Sequence, residues 1–302
     1  MAAATMLTAS IAHAEWRRDE TTLAWRSGDQ TIWRFSFDPT KGKPFFDPVA
    51  VAGGPSLSEF RPADHPHHYA LWFAWKYING SNYWEETATS GKTRWSDPAI
   101  ETRPDGSATI KLDVTYVSLA GKLDLSEQRE LRVSAPQVDG RYTIDWRARF
   151  TAGAEGALLD RTAMPGEPKG QVNGGYAGLS IRLAGAPLVT DFLSTAGPIT
   201  EFVNGRSRPS APAVAASLSH EGRNVGAVAF FSDPKNAGEA APWYLINQGV
   251  MRFMCAAILA PKPRQIPAGG QWSLNYRVAF RPGAWTSATL ESAYGEWLKS
   301  GL

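Results

Sequence analysis

Three of the chain's five histidines, His65, His67 and His68, lie within four positions in the stretch RPADHPHHYALWFAW. Imidazoles exchange protons near neutral pH and bind transition metals, so this group indicates proton transfer, metal ligation or both. Protonation of one ring disfavours protonation of its neighbours, which lowers their pKa values and favours neutral forms. A single histidine beside a strand is more often structural, but three in four positions favour a functional cluster.

The residues between the histidines predict how the cluster is presented. Pro66 keeps His65 out of the helical region, so we expect an extended segment. In a strand starting there, His65 and His67 share one face, about 7 Å apart, and His68 lies on the other. Asp64 can hold one of the rings in a single tautomer through a hydrogen bond.

A divalent metal is a second interpretation of the same residues. The spacing His65-x-His67 resembles the His-x-His on strands of cupin barrels, and most catalytic metal sites need three protein ligands. Asp64, Glu85 or Glu86 would supply the third ligand, but none stands at a diagnostic spacing. Imidazole and carboxylate ligands suit several metals, so the cofactor is left open.

Aromatic residues follow the cluster closely. The Asn79-Gly80 turn in WKYINGSNYWEE predicts a hairpin of residues 69–78 and 82–86, which would bring Trp84 and Glu85 beside Trp72. Aromatic faces stack on sugar rings and carboxylates accept hydrogen bonds from sugar hydroxyls, although at least half of the tryptophans should fill the core. The predicted catalytic residues are His65, His67, His68 and Glu85. The predicted substrate-binding residues are Asp64, Trp72, Trp75, Trp84, Tyr176, Arg182 and Trp243.

The elements that position these residues are mostly strands. Apolar and polar residues alternate with a period of two in 31–37, 107–119, 141–150, 176–184, 225–231 and 272–280. The sequences PDG (104–106) and VDG (138–140) predict turns between strands. Only the C-terminal segment has helical spacing, with Thr286 or Ser287 as N-cap. The pattern predicts an all-β fold, a large antiparallel β-sandwich with a short C-terminal helix. A galactose-mutarotase-like supersandwich suits the chain length best, and paired jelly rolls are the alternative.

Composition and the N-terminus set the remaining expectations. A net charge of +2 with scattered basic residues gives no indication of a nucleic-acid partner. No run has the roughly 18 apolar residues of a membrane-spanning helix. Ala12-His13-Ala14 resembles a signal-peptidase site, which predicts a truncated signal peptide over 1–14, one sandwich domain over 15–302, and a periplasmic or secreted protein. Cys255 lies in an apolar run and is expected to be a buried thiol. The oligomeric state is not indicated.

The chain resembles the DUF6807 family, which carries the automatic label "methane oxygenase PmoA". The resemblance runs from about residue 43 to residue 285 through the motifs KPFFDPVAVAGG, ADHPHHYALWFAWKYINGSNYWEE, GGYAGLSIRL, DPKNAGEAAPWYL and IPAGGQWSLNYRVAFRPG. It is most specific around the three histidines, and it implies a carbohydrate-related context. The methane label conflicts with the sequence, because a membrane subunit of that enzyme needs several spanning helices.

Two departures from the family pattern concern the expected site. Tyr69 stands where family members typically have arginine after the paired histidines. The segment WYLINQGVM (243–251) replaces a pattern with a second histidine and an Arg-Asp pair: Tyr244 stands for the histidine, and Asn247-Gln248 stand for the Arg-Asp pair. If those groups complete the family's site, this chain is altered in substrate or weakened in catalysis.

Three functions remain open at this stage. The leading hypothesis is an exported carbohydrate-active enzyme, an epimerase or lyase, that transfers a proton on a small sugar or keto-sugar. His65 or His67 would be the base, and Glu85 or the other histidine the acid. The alternatives are a carbohydrate-binding sandwich without catalysis and a metal-dependent enzyme of cupin-like chemistry, because sandwiches host all three.

Overall fold

The computed structural model of the protein describes residues 14–301. Antiparallel strands dominate, and the predicted all-β antiparallel sandwich with a short C-terminal helix is confirmed. The predicted signal peptide lies outside the described residues, except for Ala14 at the start of the first strand. Within the described range, no helix is long and apolar enough to cross a membrane.

The strands have these bounds in chain order: β1 (Ala14–Arg18), β2 (Thr22–Ser27), β3 (Gln30–Ser36), β4 (Phe45–Val49), β5 (Leu71–Ala74), β6 (Tyr77–Ile78), β7 (Ser81–Asn82), β8 (Lys92–Trp95), β9 (Ala99–Thr102), β10 (Ala108–Val117), β11 (Leu123–Val133), β12 (Tyr142–Ala152), β13 (Ala157–Asp160), β14 (Gly178–Arg182), β15 (Val189–Ser194), β16 (Gly197–Ile199), β17 (Arg206–Ser207), β18 (Ser210–Ala211), β19 (Ala213–His220), β20 (Arg223–Ser232), β21 (Ala241–Gln248), β22 (Met251–Ala256), β23 (Arg264–Ile266) and β24 (Gln271–Arg281). The helices are a 3₁₀ turn (Pro39–Lys41), α1 (Pro234–Ala237) and α2 (Ser287–Lys299).

These strands form three antiparallel sheets. The first has ten strands in the order β1-β2-β3-β4-β5-β14-β22-β21-β17, with β18 also paired to β21. The second has ten in the order β16-β15-β19-β20-β24-β12-β11-β10-β8, with β9 also paired to β10. A small sheet has the order β23-β13-β6-β7. The six runs predicted from period-two alternation correspond to β3, β10, β12, β14, β20 and β24.

Both predicted turns lie between paired strands. Gly106 N donates to Arg103 O at 3.1 Å between β9 and β10, and Gly140 N donates to Gln137 O at 2.8 Å between β11 and β12. The two glycines have φ values of +86° and +82°, which glycine adopts without a steric penalty. The turn sequences therefore predicted these connections correctly.

Aromatic side chains join the two large sheets into a sandwich. The ring of Trp75, which follows β5, lies 5.1 Å from that of Phe150 on β12 and 5.8 Å from that of Trp272 on β24. Phe73 on β5 also contacts Phe150, at 5.6 Å between ring centres. Each ring removes a large apolar area from water, so these contacts make up much of the inter-sheet core.

The outer face of the first sheet is apolar as well. Along β5, Leu71 and Phe73 face the inter-sheet core, whereas Trp72 and Ala74 belong to a second buried cluster on the opposite face. Successive side chains of a strand point to opposite faces, so a strand that is apolar throughout must be covered on both sides. Tyr244 of β21 lies in the same outer cluster.

The Asn79-Gly80 turn joins β6 to β7, and both residues have positive φ, +50° and +78°. This is the conformation that Asn-Gly favours in a two-residue hairpin turn. The paired strands are only two residues long, Tyr77–Ile78 with Ser81–Asn82, so the predicted hairpin is shorter than expected.

Helix α2 covers the outer face of the second sheet. Thr286 is the N-cap and forms a capping box with Thr289, as the sequence predicted for one of its two candidates. Leu290 and Trp297 are fully buried against Phe231 and other residues of the sheet. The helix therefore closes a face remote from the histidines.

Candidate functional site

The histidine segment forms two successive turns, and the prediction of a strand there is wrong. His65 N donates to Pro62 O at 2.9 Å, and His68 N donates to His65 O at 3.0 Å. Pro66 stands at the second position of the later turn, where its fixed φ is favourable. The chain therefore bends at Pro66, and His65 and His67 do not share a strand face.

The turns bring all three imidazoles together. The ring centres are 5.5 Å apart for His65 and His67, 4.7 Å for His65 and His68, and 5.0 Å for His67 and His68. A strand would have sent His68 to the opposite face. We call these three side chains the histidine cluster.

Asp64 orients the first ring of the histidine cluster. His65 Nδ1 lies 2.9 Å from Asp64 Oδ2, and Arg182 Nη2 donates to both carboxylate oxygens at 3.0 Å. Burial raises the pKa of Asp64, but the hydrogen bonds from His65 and Arg182 outweigh it and leave this pKa below its usual value. An ionised Asp64 favours the proton of His65 on Nδ1, which leaves Nε2 to accept a proton.

His68 is the buried member of the cluster. Its ring centre lies 5.1 Å from Phe253 and 5.2 Å from Trp72. Burial, together with the nearby His67 and His65, holds the pKa of His68 well below its usual range. Nδ1 of His68 is buried and has no hydrogen-bond partner among residues 14–301. Such an atom needs a partner from water or from a ligand.

His67 lies near the carboxylate of Glu85, which is hydrogen-bonded to other side chains. Burial lowers the pKa of His67 to about 4, although the charge of Glu85 opposes this shift. Glu85 accepts hydrogen bonds from Lys76 Nζ at 2.6 and 2.7 Å and from Asn82 Nδ2 at 2.5 Å. Burial raises the pKa of Glu85, but these contacts outweigh it and the pKa lies below its usual value. Glu85 is therefore ionised at neutral pH and does not suit the predicted role of proton donor.

Glu86 is held in the same manner. Lys43 Nζ and Tyr69 Oη both donate to its carboxylate, and Lys43 also donates to the backbone oxygen of Trp84 at 3.0 Å. Burial lowers the pKa of Lys43 and raises the pKa of Tyr69. Tyr69, one of the departures from the family pattern, thus fixes Glu86 rather than lining the cavity described below.

The three expected third metal ligands each bind a buried cation. Asp64 pairs with Arg182, Glu85 with Lys76 and Glu86 with Lys43. Within the part of the chain that the structure describes, no three His, Cys, Asp or Glu side chains are arranged to hold a metal ion. The contacts of these carboxylates give no support to the cupin-like metal site.

The histidine cluster lines a cavity of about 160 Å³ on the outer face of the first sheet. Its walls combine aromatic rings with titratable and amide groups: His65, His67, His68, Trp84, Glu85, Asn173, Tyr176, Arg206, Tyr244, Ile246, Met251 and Phe253. Cavities for drug-sized ligands usually measure about 300–1,000 Å³, so this one suits one small ring or one end of a longer molecule.

The predicted tryptophans divide between two faces of the first sheet. Trp84 lines the cavity, and Trp72 lies beneath His68 in the outer cluster. Trp75 and Trp243 point into the inter-sheet core, where Trp243 Nε1 donates to Ala211 O at 2.8 Å. The expectation that Trp75 and Trp243 contact a ligand is wrong, because their strand positions turn them to the opposite face. All four tryptophans are buried, so an exposed tryptophan platform is absent from this site.

Of two other predicted residues, Tyr176 and Arg182, only Tyr176 lines the cavity. Tyr176 lines the cavity and its ring is 4.8 Å from that of Trp84. Burial raises the pKa of the Tyr176 hydroxyl, which keeps it a hydrogen-bond donor. Arg182, 1% exposed, lies under the histidine segment and does not line the cavity. It positions Asp64 instead of contacting a substrate.

Elsewhere, Cys255 is buried in the outer cluster, as expected.

Several cavity residues were not predicted. Tyr244 and Phe253 come from β21 and β22, whose apolar residues on both faces indicate that both faces are covered. That signal was present in the sequence, but it does not distinguish the face that Tyr244 occupies from the face that its neighbour Trp243 occupies. Arg206 lies on the short strand β17 and Asn173 on a connecting segment, and only the tertiary packing brings them to the cavity.

A family model for proteins of unknown function, DUF6807, matches residues 22–295, which confirms the resemblance expected from the sequence. No protein of curated function matches the chain.

Solved structures give only a distant likeness. The galactosidase domain of the α-galactosidase–sucrose kinase AgaSK is 9% identical with a TM-score of 0.48, over 89% of this chain and 42% of that chain. The α-galactosidase from Lactobacillus brevis is 10% identical with a TM-score of 0.48, over 89% and 40%. A proposed aldose 1-epimerase from Klebsiella pneumoniae subsp. pneumoniae is 12% identical with a TM-score of 0.44, over 92% and 83%. The chain thus spans about two fifths of both galactosidases.

Proposed function

Because this chain belongs to the DUF6807 family of unknown function, we propose its activity from the site itself: it transfers a proton on a small carbohydrate. The observation that carries the proposal is the Asp64–His65 pair at the cavity mouth. A carboxylate that holds one imidazole nitrogen as N–H leaves the other nitrogen as an oriented base. His65 is partly exposed, so a proton it takes can exchange with water.

In the proposed step, Nε2 of His65 removes a proton from a carbon next to a carbonyl group. The electron pair of the broken C–H bond moves to the carbonyl oxygen and forms an enolate. An epimerase then returns a proton to the carbon, whereas a lyase expels a substituent from the neighbouring carbon. Both reactions begin with the same abstraction, and a positioned base contributes about 10² to 10⁴ in rate.

The other groups of the cavity suit a sugar with this chemistry. Tyr176 remains a neutral phenol and can donate a hydrogen bond to the enolate oxygen. Glu85 is held ionised by Lys76, so it can accept hydrogen bonds from sugar hydroxyls. Trp84 and Phe253 supply apolar wall. The cavity volume of about 160 Å³ suits a single sugar ring better than a long oligosaccharide.

Deuterium wash-in tests this function. The protein is incubated with keto-sugars and aldoses in D₂O, and NMR follows the deuterium content of the sugars. We expect deuterium to appear on a carbon beside the carbonyl. The His65→Ala variant should lose most of this exchange, while His220→Ala should retain it because His220 is exposed at the end of β19. Exchange on none of the sugars would reject proton transfer, and equal exchange in both variants would reject His65 as its base.

A second function, carbohydrate binding without catalysis, is favoured by one observation. A pKa of about 4 makes His67 a weak base, and burial also holds the pKa of His68 well below its usual range. Neutral imidazoles accept hydrogen bonds from hydroxyl groups without moving a proton. Sugar binding that survives in a protein without deuterium exchange would select this function.

Export remains a proposal that rests on Ala12-His13-Ala14, which includes residues outside the described range. Cleavage there would leave Glu15 as the first residue. Mass spectrometry of the protein from cell fractions tests it: an uncleaved cytoplasmic chain would contradict export.

A further inference from the structure

The charges around the cavity do not cancel. Three of the acidic groups, Asp64, Glu85 and Glu86, are each neutralised by a buried Arg182, Lys76 or Lys43. Two further cations come from strand β17 and the residue after it. These are Arg206, which lines the cavity, and Arg208, two residues later.

Neither guanidinium has an acidic partner among residues 14–301. No Asp or Glu oxygen of these residues forms an ion pair, within 4.0 Å, with a nitrogen of Arg206 or Arg208. Arg206 Nη1 donates to Gln248 Oε1 at 2.5 Å and to the backbone oxygen of Asn204. Arg208 Nη2 donates to backbone oxygens of Val172 at 2.7 Å and Gly174 at 2.9 Å. These neutral acceptors orient both side chains without cancelling their charge.

Unsatisfied polar atoms accompany this excess of positive charge. Nε of Arg206 and Nε of Arg208 are buried and lack an acceptor among residues 14–301. Tyr244 lines the cavity and is only 1% exposed. Its hydroxyl is likewise buried and has no hydrogen-bond partner among these residues. The guanidinium of Arg208 lies 4.8 Å from the centre of the Tyr244 ring. Buried donors without acceptors are rare in folded proteins and call for an explanation.

An anionic group in the cavity explains both features. A carboxylate or phosphate offers several acceptor oxygens, and a guanidinium binds such groups with strong charge-assisted hydrogen bonds. The phenol of Tyr244 can donate to the same group, because burial raises its pKa and keeps it protonated although nearby Arg206 and Arg208 oppose the shift. Arg208, over the Tyr244 ring, adds positive potential.

We propose that the ligand of this cavity carries a carboxylate or a phosphate that Arg206 and Tyr244 bind. That the ligand is a sugar rests on the proposed function. Together with the anionic group, this makes the ligand an acidic sugar, either a uronic acid or a sugar phosphate. The anion site itself depends only on the unpaired cations and the orphaned hydroxyl.

Isothermal titration calorimetry with the purified full chain tests the anion site. The probes are glucuronate and galacturonate for carboxylates, glucose 6-phosphate for phosphates, and glucose and galactose as neutral sugars. Acetate and inorganic phosphate serve as anions without a sugar. We expect at least one acidic sugar to bind at least tenfold more tightly than its neutral counterpart, with affinity that falls as salt concentration rises.

Three variants assign the effect to residues. Arg206→Gln should weaken binding of the acidic sugar at least tenfold, and Arg206→Lys should restore part of it because the charge returns without the planar fork. Tyr244→Phe should weaken it about three- to tenfold while the ring stays in place. Arg149→Gln is the matched control, since Arg149 is exposed on β12 of the second sheet.

The outcomes separate this inference from the proposed function. Equal binding of neutral and acidic sugars, no binding of any acidic probe, or unchanged affinity in Arg206→Gln would overturn the anion site. Deuterium exchange on a neutral sugar would then still support proton transfer. Conversely, Arg206-dependent binding of acidic sugars without exchange on any of them would support the anion site and remove the enzymatic function.

Discussion

Arg182 Nη2 lies 3.0 Å from both carboxylate oxygens of Asp64, although 118 residues separate the two in the chain. Arg182 belongs to β14 of the first sheet, and Asp64 belongs to the turn that carries the histidine cluster. The guanidinium is 1% exposed, so it has few other counter-charges available. The sheet thereby fixes Asp64, and Asp64 fixes His65.

Replacement of Asp64 by asparagine should affect both stability and activity. Asp64→Asn keeps the side-chain shape but removes the charge that balances buried Arg182, and we expect a loss of about 1–3 kcal/mol in the free energy of unfolding. It also weakens the acceptor for His65 Nδ1, so the exchange rate should fall by roughly 10²- to 10⁴-fold. Urea denaturation and deuterium wash-in measure the two effects.

Glu59→Gln is the control for that variant. Glu59 Oε2 lies 3.6 Å from Arg182 Nε but has no hydrogen bond to His65. We therefore expect a smaller loss of stability and an unchanged exchange rate. Equal loss of exchange in both variants would mean that Asp64 acts only through the stability of the fold.

Stability should decrease as the pH falls from about 6.5 to about 4. The pKa of His67 is near 6.5 when unfolded and about 4 when folded, so the unfolded chain binds more protons in this window. Buried His68 acts in the same direction. Each histidine contributes at most about 1.4 kcal/mol per pH unit, and His67 less because it is partly exposed. Urea denaturation at several pH values measures the slope.

His67→Gln separates this effect from the carboxylates that also titrate in acid. The variant should show a shallower pH dependence between pH 4 and 6.5 than the wild type. His220→Gln, on an exposed residue, should keep the wild-type slope. Identical slopes in all three proteins would contradict a depressed His67 pKa.

Two tryptophans that the sequence did not distinguish should respond differently. Trp84 lies 6.3 Å from the His68 ring, whereas Trp75 packs between the sheets against Phe150 and Trp272. Trp84→Phe should therefore change the NMR shifts of the His68 ring protons, because the circulating electrons of a nearby indole shift them. Trp75→Phe should leave those shifts unchanged and reduce stability only. A His68 shift of equal size in both variants would refute the assignment of the two faces.

Helix α2 should contribute stability from the face remote from the cavity. Leu290 is fully buried against the second sheet, so Leu290→Ala should cost about 2–5 kcal/mol of unfolding free energy in urea denaturation. Leu298, in the same helix, is 39% exposed, and Leu298→Ala should change stability by only about 0.5 kcal/mol. Similar losses in both variants would show that the helix contributes through its formation rather than through packing at Leu290.

Local patterns predicted six of the strands, the turn between β6 and β7 and the C-terminal helix. Period-two alternation located β10 and β12, and the glycine turns at Gly106 and Gly140 joined strands that do pair. Such signals are local, because alternation and turn type depend on residues close in the chain. The same locality explains the error at Pro66: a proline excludes the helix, but it is compatible with both an extended strand and a turn.

In this protein, local sequence patterns were enough to predict the strand-rich class, the C-terminal helix with Thr286 as one candidate cap, and the grouping of the three histidines. The sheet face of each aromatic residue follows from the tertiary structure, which places Trp243 in the core and Tyr244 in the cavity. The same holds for the approach of Arg206 to the histidines, with no acidic partner among residues 14–301, and for the contact of Arg182 with Asp64. These are contacts between segments more than a hundred residues apart, and they depend on how the strands pair and the loops pack, which no local pattern encodes.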